Sequence, residues 1–301
     1  MNNLSYLIGK ITRLFVIISL AFLLVLVYII KDQPGPSVLL GVYNTSYSSA
    51  DYENEIPYLF SQDVIPVSID ASGNRSWGIK RNKAGALPDP DPGSVEILER
   101  QNAVWIADTS QKTIYITFDQ GYENGYTDSI LDTLKEKNVK TIFFITGPYL
   151  DKCDKLMRRF VDEGHYVGNH TVRHKSMPLL DRSTAEKELL ELEKAFEEKY
   201  GAQMLFFRPP MGEYNEETLK IAKELRYTTM FWSFAYDDWH KDKVRGAQYV
   251  IDIVTQNAHN GMIILFHAVS RDNADALGAL IDKLRSQGYE FGDPMDLYQS
   301  N

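Results

Sequence analysis

Short apolar stretches rich in β-branched and aromatic residues alternate with longer amphipathic stretches throughout residues 113–301. The predicted strands are Ile114–Phe118, Thr141–Thr146, Tyr166–Asn169, Leu205–Arg208, Thr228–Trp232 and Met262–Phe266. The predicted helices are Tyr126–Lys137, Lys155–Glu163, Thr184–Tyr200, Glu216–Leu225, Ala247–Ala258 and Asp275–Gln287. Strands alternating with helices of this length indicate right-handed βαβ units and a parallel sheet. We therefore predict an α/β fold, a distorted or incomplete (β/α) barrel with about seven parallel strands, in preference to an open doubly wound sheet.

A different pattern opens the chain. Residues 14–30 are apolar except for Ser19, with Lys10 and Arg13 before them and Lys31 after them. This stretch is just long enough to span a bilayer, longer than the apolar part of a signal peptide, and no Ala-x-Ala cleavage pattern follows closely. We expect an uncleaved signal anchor at 14–31 and a cytoplasmic tail at 1–13, with the rest of the chain outside the cytoplasm. A cleaved signal peptide is the alternative.

The region between this anchor and the barrel has no sustained period. Residues 32–76 have the composition of a stalk or linker, and residues 77–112 contain Pro88, Pro90 and Pro92, which prevent a long helix. The second of these segments is predicted to be an extended arm packed on the barrel of residues 113–301.

Composition narrows the functional classes. The 301 residues are 44% hydrophobic and 24% charged, which is globular, and the net charge of −9 argues against binding to nucleic acid. Cys153 is the single cysteine, so an internal disulfide and a cysteine-based metal site are excluded. No glycine-rich phosphate-binding loop follows any predicted strand, so a nucleotide site is not indicated.

Polar residues gather where the predicted strands end. They are Asp119, Gln120, His170, His174, Arg208, Asp238 and His267. The carboxyl ends of the strands in a parallel barrel share one mouth, where active sites are built. A lone histidine or aspartate at a strand end is usually structural, but the convergence of so many on one face favours a catalytic site.

The two histidines of His170-Thr171-Val172-Arg173-His174 are four residues apart. If this segment is helical, both rings project from one face and can bind one metal ion, for which zinc is the commonest candidate. Asp119 is either a further ligand or a base, and Arg208 can pair with it and keep it ionised.

On the other side of the predicted mouth, His267 is a candidate general acid. Asp238 can keep it protonated by accepting a hydrogen bond from its other ring nitrogen. Trp239 provides either a flat wall on which a sugar ring stacks or core packing, two interpretations of equal weight.

These residues resemble the five motifs of the polysaccharide deacetylase family (NodB homology, carbohydrate esterase family 4). The matching segments occur in the family's order and spacing: Thr117–Gly121, His170–His174, Arg208–Gly212, Asp238-Trp239 and Leu265–His267. The resemblance implies a divalent metal ion such as Zn²⁺ on His170 and His174, with Gln120 at the position of the family's metal-binding carboxylate. It also implies Asp119 as base, with Arg208 beside it, His267 as acid tuned by Asp238, and an oxyanion near the Met211 amide.

Segments outside these motifs are similar to the branch that deacetylates N-acetylmuramic acid in peptidoglycan and forms muramic δ-lactam in the spore cortex. They are Ser76–Asn82, Pro92-Gly93, Trp105–Asp108 and Gly121–Thr127. Two residues depart from the pattern: Gln120 is a neutral donor, so the metal should bind weakly, and Met211 replaces an arginine suited to the lactyl carboxylate. Arg173 is the predicted replacement, and the other predicted substrate contacts are Tyr122, Pro210, Met211 and Trp239.

The sequence thus predicts a membrane-anchored, extracytoplasmic hydrolase acting on peptidoglycan glycan strands. One alternative is the same reaction on N-acetylglucosamine. Another is a glycan-binding protein that has lost the chemistry, suggested by Gln120. A glycosidase with Asp119 and Glu123 as its carboxylate pair is a further alternative, but it leaves the two histidines idle.

Overall fold

The computed structural model describes residues 73–82, 85–240 and 242–299, which all belong to one unit, Ser61–Asn301. Its strands are β1 (Arg75–Ser76), β2 (Ile79–Lys80), β3 (Asp89–Pro90), β4 (Ala103–Val104), β5 (Thr113–Gln120), β6 (Ile142–Ile145), β7 (Tyr166–Asn169), β8 (Phe206–Phe207), β9 (Glu213–Tyr214), β10 (Thr228–Met230), β11 (Met262–His267) and β12 (Glu290–Phe291). Its α-helices are α1 (Ser94–Arg100), α2 (Thr127–Glu136), α3 (Gly147–Lys152), α4 (Asp154–Asp162), α5 (Arg182–Tyr200), α6 (Glu216–Glu224), α7 (Ala247–Gln256) and α8 (Arg271–Ser286). Short 3₁₀ turns lie at Met177–Leu179, Pro210–Gly212 and Pro294–Leu297.

The main sheet is parallel throughout. Its strand order is β11-β5-β6-β7-β8-β10-β4, and β12 also pairs with β5. A parallel bridge between Phe234 and Ile264 joins the chain just after β10 to β11. The sheet therefore curls into an incomplete barrel, and the predicted parallel α/β architecture is confirmed.

Alternation along β5 separates two apolar layers. Ile114, Ile116 and Phe118 lie in the cluster shared with the helices, whereas Tyr115 lies in a smaller cluster with side chains from β4, β6, β8, β10 and β11. The second cluster is the barrel interior, because all of its buried members except Leu297 lie on these strands. Asp119 has the same parity as Tyr115, so it reaches the interior side at the mouth of the barrel.

Residues 73–82, which include the beginning of the predicted arm 77–112, pack against a loop at that mouth. β1 pairs antiparallel with β9, and the Trp77 amide donates to the Gly212 carbonyl over 2.8 Å. The Trp77 indole donates to the Trp232 carbonyl over 2.9 Å. Gly212 has φ +67, and a Cβ there would lie 2.8 Å from the Trp232 ring, so glycine is needed at this contact.

Several element boundaries differ from the predicted ones for local reasons. α8 begins four residues before the predicted helix because Ser270 caps it, its hydroxyl accepting from the Asn273 amide. Three short elements were not predicted: α3, which has proline in its first turn, and the two-residue strands β4 and β12. Such short elements carry too little periodicity to be recognised.

The predicted tail 1–13, the anchor 14–31 and residues 32–72 of the stalk lie outside the described residues. Within the described ranges, no helix has the length and apolar character needed to cross a bilayer.

Candidate active site

A buried ion pair lies at the centre of the barrel mouth. Asp119, the penultimate residue of β5, is 7% exposed, and its Oδ1 accepts from Arg208 Nη1 over 2.8 Å. Burial alone would raise the pKa of Asp119, but Arg208 and the nearby His170 and His267 outweigh it and hold that pKa below its usual value. Asp119 is therefore a carboxylate over the whole neutral pH range.

Arg208 is fully buried and is held by contacts on several sides. Besides Asp119, its guanidinium donates to the carbonyls of Met230 and Phe231 at 3.0 and 3.2 Å. The Phe144 ring lies 4.1 Å from the guanidinium carbon, which allows a cation–π contact. This arrangement fixes the cation and therefore the orientation of the carboxylate that it binds.

The two histidines of the second motif come together without a helix. Residues 170–176 form no regular element, and Thr171 and His174 have positive φ angles of 66° and 53°. The two Nε2 atoms are nevertheless 3.2 Å apart, and His170 Nε2 is 3.5 Å from Asp119 Oδ2. The predicted pairing of the rings is present, but a strained loop creates it.

The protonation of these rings follows from their surroundings. His170 Nδ1 donates to the Arg208 carbonyl over 2.8 Å, which leaves its Nε2 lone pair directed away from that bond. Burial lowers the pKa of His170 to about 4, and burial likewise lowers the pKa of His174. Both rings are neutral at pH 7, the form that binds a metal ion.

The opposite side of the mouth holds a histidine of the other kind. His267 Nδ1 lies 2.7 Å from Asp238 Oδ1, and the His267 amide donates to Asp238 Oδ2 over 2.8 Å. Burial would lower the pKa of His267, but the Asp238 carboxylate reverses this effect and raises it. His267 and Asp119 are register partners on the adjacent strands β11 and β5, so both clusters belong to one site.

The histidine pair fits a divalent ion as two of its ligands. Two imidazole nitrogens bound tetrahedrally to zinc at about 2.0–2.1 Å lie about 3.3 Å apart, close to the observed 3.2 Å. The described residues contain no group of three His, Cys, Asp or Glu side chains suited to a metal. Gln120 is fully buried, and neither its amide oxygen nor its amide nitrogen has a hydrogen-bond partner among the described residues.

Comparison with known proteins identifies the family. Residues 106–230 match the polysaccharide deacetylase family. The peptidoglycan-N-acetylmuramic acid deacetylase PdaA of Bacillus subtilis (strain 168) is 42% identical over 226 residues, which cover 74% of this chain and 85% of PdaA. The chain belongs to the polysaccharide deacetylase family.

The relatives of this chain are named as deacetylases of two different sugars, N-acetylmuramic acid and N-acetylglucosamine. The solved structure of B. subtilis PdaA, described as a family 4 carbohydrate esterase, superposes with a TM-score of 0.73 at 38% identity. It covers 76% of this chain and 98% of the PdaA chain. A peptidoglycan-N-acetylglucosamine deacetylase of Bacillus cereus (strain ATCC 14579) is 34% identical over 192 residues, covering 62% of this chain and 88% of that protein. The predicted family is thus confirmed.

The predicted substrate contacts occupy different environments in this deacetylase-family site. Trp239 is 50% exposed, and its ring centroid lies 5.8 Å from that of His267. Tyr122 and Met211 are also about half exposed, at 50% and 54%, whereas Pro210 is buried. Three large side chains are thus available to solvent on loops that follow β5, β8 and β10.

Arg173 has a partner of its own. Its Nη1 donates to Glu188 Oε1 over 2.6 Å, and the side chain of Glu188 is 1% exposed. The role of Arg173 in binding a substrate carboxylate stays a prediction, and it competes with this ion pair.

Two supporting residues were missed by the sequence analysis. Asn273 donates to Asp238 Oδ2 over 2.6 Å and accepts from the Tyr236 hydroxyl, so it fixes the far side of the Asp238 carboxylate. Glu188, on α5, binds the loop of residues 170–176 that carries His170 and His174, here called the histidine loop. Asn273 follows a capping serine and Glu188 lies among the many glutamates of a long helix, so the sequence pattern gave no signal for either.

Proposed function

We propose that this protein is a hydrolase that removes the acetyl group from N-acetylmuramic acid residues of peptidoglycan. The observation that carries the proposal is the arrangement around Asp119: an ionised carboxylate beside two neutral imidazoles, with a histidine of raised pKa on the adjacent strand. Amide hydrolysis needs a base for water, an electrophile for the carbonyl and an acid for the amine. These groups supply the base, the ligands of the electrophile and the acid.

Asp119 is suited to be the base. Its Oδ1 is engaged by Arg208, and its Oδ2 lies toward His170 on the side of the histidine pair. A water molecule placed there can give its proton to Asp119 as its oxygen attacks the acetamide carbon. Arg208 keeps the carboxylate ionised and oriented before the proton arrives.

His170 and His174 would hold a divalent ion, with Gln120 as a neutral donor. When bound, such an ion polarises the acetamide carbonyl and lowers the pKa of a coordinated water. The two rings are suited to hold it because they are neutral and because His170 Nδ1–H is already committed to the Arg208 carbonyl.

His267 is suited to be the acid. Its Nδ1 donates to Asp238, so the proton that it can release is the one on Nε2. Transfer of this proton to the amine nitrogen allows the C–N bond to break, giving acetate and a free amino sugar. The raised pKa favours the protonated form of His267, which this step requires.

The muramic sugar is supported by the relationship to PdaA, and the N-acetylglucosamine deacetylase of B. cereus supports the alternative sugar. We place the enzyme in the cell envelope, held by the apolar segment 14–31, where it would act on cortex glycan strands and lead to muramic δ-lactam. Trp239 and Tyr122 provide aromatic faces for a sugar ring.

Acetate release by the purified full chain in detergent tests this function. The substrates are glycan strands with bare muramic acid, strands with intact stem peptides, and N-acetylglucosamine oligomers, each with and without a metal chelator. We expect acetate from bare muramic acid, suppression by the chelator, and a product mass lower by one acetyl group. Release only from glucosamine residues would transfer the protein to the alternative substrate. Tight glycan binding without any release would show that the chemistry has been lost.

A further inference from the structure

The loop that carries the two histidines adopts a costly backbone conformation. Thr171 and His174 both have φ angles in the left-handed region, at 66° and 53°. This region is unfavourable for residues with a side chain, most of all for a β-branched one such as Thr171. Such a residue is energetically unfavourable and persists only when its surroundings enforce it. Contacts outside the loop must therefore hold it.

Helix α5 provides three of those contacts through one residue. Glu188 Oε2 accepts from the backbone amide of Arg173 over 2.8 Å, and its Oε1 accepts from the Arg173 guanidinium over 2.6 Å. The backbone carbonyl of Glu188 also accepts from the Val172 amide over 3.1 Å. Glu188 thus binds the two residues that separate Thr171 from His174.

Other contacts hold the beginning of the loop but not its end. Asn169 Oδ1 accepts from the Thr171 amide, and its amide group donates to the Leu189 carbonyl. The Gly147 amide donates to the Val172 carbonyl, and a Cβ at Gly147 would lie only 2.8 Å from that oxygen. Glu188 is the residue that fixes Arg173, directly before His174.

The Glu188 carboxylate has no other evident task. Its side chain is 1% exposed, and a buried carboxylate is retained at a cost unless hydrogen bonds and a cation compensate for lost hydration. Among the described residues, both of its oxygens accept hydrogen bonds from Arg173 and from no other residue. The buried charge is thus directed to one backbone amide and one guanidinium of the histidine loop.

We propose that Glu188 is the positioning residue of the His170–His174 pair. It contacts neither substrate nor ion, and acts by holding the loop in the conformation that sets the two Nε2 atoms 3.2 Å apart. In this arrangement the Arg173 guanidinium completes the anchor of the loop. The kinetic part of the test depends on the proposed deacetylase activity, whereas its structural part does not.

Three variants separate positioning from stability. Glu188→Leu removes both acceptors, and Glu188→Gln keeps one acceptor but removes the charge. Leu192→Ala is the control: Leu192 is buried in the same helix, and its truncation should destabilise the protein through a cavity alone. Thermal unfolding of each full-length variant gives the loss of stability against which the other measurements are compared.

The first measurement is hydrogen exchange of the His174 backbone amide, which donates to Thr171 Oγ1 within the loop. It needs neither metal nor substrate. We expect exchange at least tenfold faster in Glu188→Leu than in Leu192→Ala, and an intermediate rate in Glu188→Gln. Zinc affinity, measured by competition with a chromophoric chelator, should fall at least tenfold in Glu188→Leu and change less than twofold in Leu192→Ala. Exchange within twofold of the control would overturn the proposal.

Kinetics give the last outcome. Glu188→Leu should lower kcat with little change in KM, because the sugar contacts remain. Faster exchange with an unchanged kcat would refute a role for Glu188 in positioning the site. Arg173→Ala separates this proposal from direct recognition of a substrate carboxylate: positioning predicts equal loss on muramic and glucosamine substrates, and recognition predicts a higher KM on muramic acid only. Absence of acetate release by the unaltered chain would instead reject the deacetylase function itself.

Discussion

The two sides of the barrel mouth use the same side chain for opposite purposes. The rings of His170 and His174 lie within hydrogen-bond distance of each other, and the Nδ1 of His170 donates to a backbone carbonyl. Burial of these two rings lowers the pKa of each, so both are neutral at pH 7. His267 is hydrogen-bonded to the buried carboxylate of Asp238, which raises its pKa.

This difference shows that the partner, more than burial, decides the task of each histidine. Burial disfavours the imidazolium in all three rings, and Asp119 beside His170 does not overcome this effect. Only His267, which is hydrogen-bonded directly to the Asp238 carboxylate, has a raised pKa. A neutral pair suited to a metal ion and a charged acid can therefore share one mouth. Asp119 lies between them, and its pKa is likewise decided by its partner, because Arg208 compensates for the burial of its charge.

Removing the charge between the two sides should have the largest effect. Asp119→Asn keeps the shape and an oxygen that can accept from Arg208, but an amide cannot take a proton from water. We expect kcat to fall about 1,000-fold, within the range of general base catalysis, with KM changed less than about threefold. Steady-state acetate release measures both constants, and thermal unfolding verifies the fold. Activity above one tenth of the original would mean that another group is the base.

The second change removes the carboxylate partner of His267, so that its ring resembles those of His170 and His174. In Asp238→Asn the oxygen should remain toward the His267 amide and the Asn273 amide, so the new NH₂ group faces His267 Nδ1. Nδ1 must then accept, and the imidazolium loses its stabilising charge. Because the protonated form is the active acid, activity is lost as pH rises through the pKa of His267.

The limb of the pH–rate profile on the alkaline side should therefore move to lower pH by about one unit or more, and kcat at pH 7 should fall about 100-fold. The matched control is Asp237→Asn, since the neighbouring carboxylate binds Lys243 and Arg245 instead. An alkaline limb that stays in place in Asp238→Asn would contradict the assignment of His267 as the acid.

How much of this site is readable from the sequence depends on the kind of contact. The roles at Asp119, Arg208, His170, His174, Asp238 and His267 were expected because strand ends of a parallel barrel meet at one mouth, and the structure brings these six residues together. Most of the strand and helix pattern of residues 113–301 was also readable, because the longer elements repeat their apolar period over several residues.

The supporting contacts were not readable. The sequence analysis considered a helix at 170–174 as one way to pair the two rings. The segment is instead a loop with two left-handed residues, which Glu188 and Asn169 hold from helix α5 and strand β7. Sequence spacing carries the local period but not the tertiary contacts that override it. Arg173 illustrates the point: from the sequence it is a free cation beside the metal ligands, and in the fold it is bound to a buried carboxylate.

A histidine without either kind of partner sharpens the comparison. His165, before β7, is 7% exposed, and neither ring nitrogen has a partner in the described part of the chain. Burial lowers its pKa to about 4, against about 6.5 in the unfolded chain. Between these values the unfolded chain binds more protons, so the free energy of unfolding falls as pH decreases through this range.

His165→Leu should remove that dependence. Between pH 7 and pH 4.5 the original protein should lose about 2 kcal/mol of stability through this residue, and the variant should be spared that loss. Urea unfolding at several pH values measures the difference. Parallel stability curves for the two proteins would show that His165 is hydrated or paired in solution.

The smallest expected effect concerns the metal side alone. Gln120 is fully buried and its amide has no partner among the described residues, so replacing it by an isosteric carboxylate has two opposite outcomes according to what lies beside it. If Gln120 faces the ion held by His170 and His174, Gln120→Glu adds a charged ligand, and zinc affinity should rise about tenfold or more. Gln120→Leu, which lacks a donor oxygen, is the control and should lower the affinity for zinc.

If the side chain at position 120 lies away from the ion, the new carboxylate of Gln120→Glu is an unpaired buried charge, and this variant should lose several kcal/mol of stability without gaining affinity. We expect the first result, because Gln120 directly follows Asp119 at the end of β5 and its buried amide has no partner among the described residues.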